Sequence, residues 1–165
     1  MEIERKFLLK SIPENLENYE HYDIEQAYIF VTPTLRVRKK TSKDNVTYIL
    51  TVKNSGMMAH DEFETEIDEE SYTELLTKRT TPNVISKTRY LIPLNKNLTL
   101  ELDIFKGAFE GLVMGEVEFK TEAKAKAFVP PEFFSDEVTF DKRFHNSAMS
   151  TMSKEDISEF IGFVG

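Results

Sequence analysis

Hydrophobic and polar residues alternate along most of this chain, the period-two signature of strands that bury one face. In "EIERKFLL" the charged Glu2, Glu4 and Lys6 alternate with Ile3 and Phe7. Arg5 falls out of step and is expected to lie exposed at a strand edge. The same alternation predicts strands over 2–9, 24–31, 34–41, 46–53, 61–68, 84–93, 98–105, 112–120 and 136–140. Pro, Gly and Asn fall at short intervals between them, as turns joining strands require. Three segments carry helical spacing instead. "DEESYTELLTKR" opens with acids suited to a helix N-terminus and sets Tyr72, Leu75 and Leu76 on one side, which predicts a helix over 69–79. "EAKAKAF" predicts a short helix, and Ser153 as N-cap with Ile157, Phe160 and Ile161 on one side predicts another over 153–162. With no repeat, linker or low-complexity tract, the 165 residues are expected to form a single domain.

The polar face of these strands is not the mixture that a solvated sheet face would carry. Charge is sorted by sign: acid at Glu62, Glu64 and Glu66, at Glu101 and Asp103, and at Glu116 and Glu118; base at Arg36 and Arg38, and at Lys87 and Arg89. Like charges directly opposed across strands are destabilising, so these clusters need neutralisation by neighbouring strands, metal ions or a charged ligand. The expected fold class is mainly β (α+β). In it, a closed antiparallel β-barrel of about eight strands has its charged face inward, with the helices at 69–79 and 153–162 on its apolar outside. Glu2, Glu4, Glu62, Glu64, Glu66, Glu101, Asp103, Glu116 and Glu118 would then share a wet interior with Lys6, Arg36, Arg38, Lys53, Lys87 and Arg89. Bases at this density suit phosphate, and acids beside them suit hard divalent cations that bridge to phosphate oxygens.

Composition narrows the chemistry. The chain has no cysteine, and His21, His60 and His145 are too scattered to suggest zinc, so any metal is expected to be held by oxygen. A net charge of -8 argues against nonspecific nucleic-acid binding. No stretch of about 18 apolar residues occurs and no secretory pattern opens the chain. A cytoplasmic location without membrane contact is the expectation.

Taken in chain order, "EIERKF", "QAYI", "LRVRK", "LTVK", "EFETEI", "KTRYLI", "LELDIF", "GLVMGEVEF" and "VTFDKRFHN" resemble the CYTH domain, also called the triphosphate tunnel metalloenzymes, whose signature is ExExK. The resemblance covers nearly the whole chain. It implies a β tunnel that uses Mg²⁺ or Mn²⁺ on a small-molecule triphosphate. By position, it implies that Lys6, Arg36, Arg38, Lys53, Lys87, Arg89 and Arg143 bind phosphate. Glu2, Glu4, Glu116, Glu118 and Asp103 would hold metal. Glu62 and Glu64 would serve a second metal or activate water, and Lys6, Lys87 and Tyr28 would complete the catalytic set. Phe144 stands where the family pattern leads one to expect Tyr, and Asp141 and Asn146 are expected to fix a turn. The implied activity is inorganic tripolyphosphatase, releasing pyrophosphate and phosphate. The alternatives are an adenylate cyclase, a thiamine or nucleoside triphosphatase, and a polyphosphate-binding module without turnover.

Overall fold

The alternating segments form antiparallel strands close to their expected limits in the computed structural model, which describes residues 1–54 and 58–165, the side chain of His60 excepted. The strands are β1 (Glu2–Leu9), β2 (Glu20–Phe30), β3 (Thr34–Ser42), β4 (Asn45–Lys53), β5 (Ala59–His60), β6 (Glu62–Ile67), β7 (Ile85–Pro93), β8 (Thr99–Lys106), β9 (Val113–Phe119) and β10 (Phe134–Glu137). The helices are α1 (Glu69–Thr77), α2 (Glu122–Ala127), α3 (Asn146–Met149) and α4 (Lys154–Val164). The last predicted strand, 136–140, is displaced toward the N-terminus as β10, and β5 and α3 were not predicted.

One sheet runs in the order β10-β1-β9-β8-β7-β2-β3-β4-β6, with β5 off this path and paired to β1. The expected closed barrel of about eight strands is therefore not formed: among the described residues no ladder joins β6 to β1 or β10. The cause is local. One edge of β1 pairs with β9, and the other is divided between β5, at Glu2 and Ile3, and β10, at Phe7 and Leu9 with a register shift between them, while Glu4 N–H donates to the Met58 carbonyl and Val138 N–H to that of Lys6. No length of β1 is left to accept β6. The sheet still curls far enough for its two sides to touch, since Lys53 Nζ of β4 lies 3.0 Å from Glu2 Oε1 of β1.

The convex face carries the apolar half of the alternation. Helix α1 buries Tyr72 against Ala27 and Val37, and α2 with the following segment covers Ile3, Phe7, Leu100, Val117 and Phe119. Helix α4 departs from expectation by packing at the other side of the sheet. Its Ile157 and Phe160 join Tyr28, Ile85, Phe105 and Met114, residues that lie at spacing two from Gln26, Lys87, Asp103 and Glu116 and so share their face. The concave face is charged along one part and apolar along the other. The C-terminal segment fills the apolar part.

Arg5 is also not the exposed edge residue that its broken alternation suggested. Its guanidinium donates to the carbonyls of Ala125 (2.8 Å) and Phe128 (3.0 Å) at the end of α2, and to both carboxylate oxygens of Glu137. It also lies over the rings of Phe7 and Phe128. Arg5 thus satisfies the carbonyls that a helix end leaves open and ties α2 to β10. Arg5→Met is expected to lower stability by about 2 kcal/mol in urea unfolding, without changing any group in the concave face.

Candidate functional site

The charged part of the concave face surrounds a cavity of about 670 Å³. All six bases singled out on the strands line it, and so do eight of the nine acids, the exception being Glu66. Arg143 does not line it. That side chain turns outward, ion-paired to Asp141 at 2.6 Å and stacked on Phe163. Asp141 caps the turn as expected, accepting from the Arg143 N–H. Phe144 points into the core against Phe160, so its position offers nothing to the cavity.

Buried carboxylates and bases interlock in the depth of the cavity. Cross-strand register sets Arg89 opposite Asp103, Glu101 opposite Glu116, and Lys6 opposite Glu116. Arg89 grips Asp103 through two nitrogens at 2.7 and 2.9 Å and reaches Glu101 at 2.6 Å and Glu116 at 3.2 Å. Lys87 Nζ lies 2.8 Å from Asp103 and donates to Asn146 Oδ1 at 2.7 Å. Burial alone would raise Asp103, but Arg89 and Lys87 outweigh it and hold the carboxyl below its usual range. Glu116 is likewise held low against burial by Lys6, Arg89 and Lys87. For Lys87 the balance goes the other way. Burial, reinforced by Arg89 and Arg38, pushes it down to about 7 despite Asp103.

Arg36 and Arg38 have no carboxylate partner among the described residues. Arg36 is buried, and among the described residues its side chain bonds only to Thr51 Oγ1 at 3.2 Å and its Nε has no partner. Arg38 donates through Nε to Gln26 Oε1 at 2.8 Å. Burial and the neighbouring Arg36 push Arg38 down to about 10. A buried guanidinium lacking a counterion is costly, and Arg36 with the half-buried Arg38 beside it offers donors suited to an anion.

The acids toward the rim are crowded, and of these Glu2 also pairs with Lys53 Nζ at 3.0 Å. Burial, with Glu116 and Glu2 nearby, pushes Glu4 up to about 7. Burial and a hydrogen bond with Glu2 push Glu62 up to about 8, and Glu64 adds to this. Glu118 is raised by burial and by Glu2, Glu101 and Glu116. The structure thus divides the acids expected to hold metal: Glu116 and Asp103 are gripped by several bases, whereas Glu4 stands opposite Glu118 across β1 and β9, and Glu2, paired with Lys53, also meets Glu62. No three carboxylate or imidazole side chains already enclose an ion-sized site among the described residues. As a donor set, however, crowded carboxylate oxygens suit a hard divalent cation.

These shifts have a sign. A carboxyl raised on folding opposes folding once pH exceeds its unfolded value, so stability falls as pH rises from about 4.5 toward about 8 at Glu62. A divalent cation would relieve that repulsion. Mg²⁺ is expected to raise the melting temperature more at pH 8 than at pH 6, and Glu62→Gln to diminish the difference; thermal unfolding at constant ionic strength measures both.

Several lining residues were not found from the sequence: Tyr22, Thr32, Thr34, Lys40, Lys142 and His145. Asn146, expected only to fix a turn, accepts from both Lys87 and Gln26. Tyr28 is fully packed, yet its hydroxyl accepts from Gln26 Nε2 at 3.0 Å and borders the cavity.

A curled but unclosed antiparallel sheet turns crowded carboxylates, and arginines that lack carboxylate partners among the described residues, toward one cavity. The chain belongs to the CYTH domain family, whose pattern it matches over residues 1–153. It is 36% identical over 149 residues to an inorganic triphosphatase of Nitrosomonas europaea, covering 90% of this chain and 96% of that protein. Over 148 residues it is 34% identical to an inorganic triphosphatase of Acetivibrio thermocellus, covering 88% of this chain and 90% of the other. Among solved structures it resembles the inorganic triphosphatase NE1496, with a TM-score of 0.67, 34% identity and coverage of 93% and 96% of the two chains. Among the described residues no helix is long and apolar enough to cross a membrane.

Proposed function

We propose that this protein is a divalent-metal-dependent inorganic triphosphatase that hydrolyses tripolyphosphate to pyrophosphate and phosphate, with residues 1–165 acting as one domain. The observation that carries the proposal is the adjacent pair of buried Arg36 and half-buried Arg38, neither with a carboxylate partner among the described residues, and Arg36 Nε with no partner among them. Two inorganic triphosphatases more than 30% identical over most of their length support it.

In this account Arg36, Arg38, Lys6 and Lys53 bind phosphoryl oxygens, and their guanidinium and ammonium protons stabilise charge as it shifts in the transition state. Arg89 is occupied by three carboxylates and contributes mainly by fixing them. Glu2, Glu4 and Glu118, with Glu62 and Glu64, are the oxygen donors that would hold Mg²⁺ or Mn²⁺. When bound, such an ion neutralises phosphate charge and orients the chain for in-line displacement. Lys87, pushed down to about 7 by burial, can surrender its proton near neutral pH. It is the group assigned to take the proton of the attacking water as a P–O–P bond breaks, with Glu62 or Glu64 as the competing acceptor. Asp103 and Glu116 serve as counterions that position Lys87, Arg89 and Lys6.

The test is a phosphate-release panel with tripolyphosphate, thiamine triphosphate, ATP and GTP under Mg²⁺ and Mn²⁺. Tripolyphosphate is expected to dominate, and EDTA to stop the reaction. Cyclic AMP from ATP would identify a cyclase, and tight tripolyphosphate binding with no product under either metal would identify a binding module.

A further inference from the structure

Gln26 is completely buried on the concave face of β2, between the arginine wall and the Lys87 side of the cavity. Its amide makes three hydrogen bonds: Oε1 accepts from Arg38 Nε at 2.8 Å, and Nε2 donates to Tyr28 Oη and to Asn146 Oδ1, each at 3.0 Å. The orientation of an amide is normally ambiguous, because its oxygen and nitrogen look alike. Here chemistry fixes it. A guanidinium can only donate, so the Gln26 atom facing Arg38 is oxygen. The Gln26 amide nitrogen, thus fixed, can only donate, so the Asn146 atom 3.0 Å from it is oxygen, and Lys87 Nζ donates to that same oxygen at 2.7 Å. The Gln26 nitrogen must then donate both protons, one to Asn146 and one to Tyr28.

The consequence falls on Tyr28. Its hydroxyl oxygen is taken as an acceptor by Gln26, and among the described residues nothing accepts the hydroxyl proton. That proton is left for whatever occupies the cavity, which Tyr28 lines. The same amide holds Arg38 by Nε and leaves its two terminal nitrogens for an anion.

We propose that Gln26 is a positioning residue that sets hydrogen-bond direction across the site. It locks Tyr28 as a donor toward the bound phosphate, orients the Arg38 fork beside it, and fixes the Asn146 oxygen that receives Lys87. The role of the relay in turnover rests on the triphosphatase proposal; its geometry does not.

Two measurements separate these. In side-chain amide NMR of the full protein, Tyr28→Phe is expected to move one Gln26 amide proton upfield, and Asn146→Ala the other. Unmoved Gln26 signals in both variants overturn the relay whether or not the protein hydrolyses anything. In tripolyphosphate kinetics, Gln26→Met is expected to lower kcat by about 10- to 100-fold in the presence of Tyr28, and by a clearly smaller factor in a Tyr28→Phe background, where only its hold on Arg38 and Asn146 is left to lose. Equal losses in the two backgrounds overturn the positioning role and reduce Gln26 to packing. If Gln26→Met does not fold, Gln26→Glu carries the cycle, since it keeps the shape and the bond from Arg38 but has no proton for Tyr28. Wild-type protein that does not hydrolyse tripolyphosphate would sink the triphosphatase proposal, and the NMR measurement would still decide the relay.

Discussion

Lys87→Met is expected to lower tripolyphosphate turnover by about 10²- to 10⁴-fold while leaving the melting temperature unchanged or higher. Lys87 is 2% exposed, and burial with two neighbouring arginines pushes its ammonium down to about 7 in spite of Asp103. Its charged form is thus held at a cost to folding, the mark of a group retained for function rather than stability. Met fills similar volume without that charge, and Asp103 keeps both of its bonds to Arg89. The pH dependence has a definite direction. Between about pH 7 and the unfolded value of 10.5, the unfolded chain binds the extra proton, so stability attributable to Lys87 rises with pH across that window. The gain from Lys87→Met should therefore be largest at pH 7 and below and fade toward pH 10, as thermal unfolding at several pH values would measure. A variant that loses both activity and several degrees of stability at pH 7 would make Lys87 a structural ion-pair partner instead.

Asp103→Asn is expected to do the opposite to stability, although the two side chains touch. Asp103 is as deeply buried as Lys87, yet Arg89 and Lys87 hold its carboxyl below the usual range, so its charged form favours folding. Replacing it leaves Arg89 and Lys87 buried with less compensation, a change that costs about 3 kcal/mol or more. A group with a lowered pKa supplies stability above its unfolded value, near 3.8, and loses it as pH falls through the folded value. The deficit of Asp103→Asn should then be full at neutral pH and shrink only in acid; urea unfolding at pH 7 and pH 3 would test this. Loss of turnover in this variant is secondary, arising from misplaced bases.

Most of the strands and the sorting of charge by face were legible in the sequence, because both depend on a period of two that each strand carries by itself. Lys6, Arg36, Arg38, Lys53, Lys87 and Arg89 line the cavity for that reason. Closure was not legible. Whether a curled sheet joins its edges depends on which segment occupies the free side of β1, and β5, two residues long, leaves almost no pattern of its own. The site of α4 could have been anticipated. Ile85, Phe105 and Met114 stand two residues from Lys87, Asp103 and Glu116, so the charged face turns apolar at one end and needs a cover. Arg5 was misjudged because its partners lie 120 to 132 positions away. Asn146, His145 and Lys142 reach the cavity from a turn and a one-turn helix, where no periodicity marks a facing side chain.

The most direct test of the site follows tripolyphosphate by ³¹P NMR in the presence of the protein and Mg²⁺ or Mn²⁺. Phosphate and pyrophosphate are expected to appear in equal amounts, to stop with EDTA, and to fall to a small residue with Lys87→Met. Tripolyphosphate that stays intact with bound metal and folded protein would contradict the account.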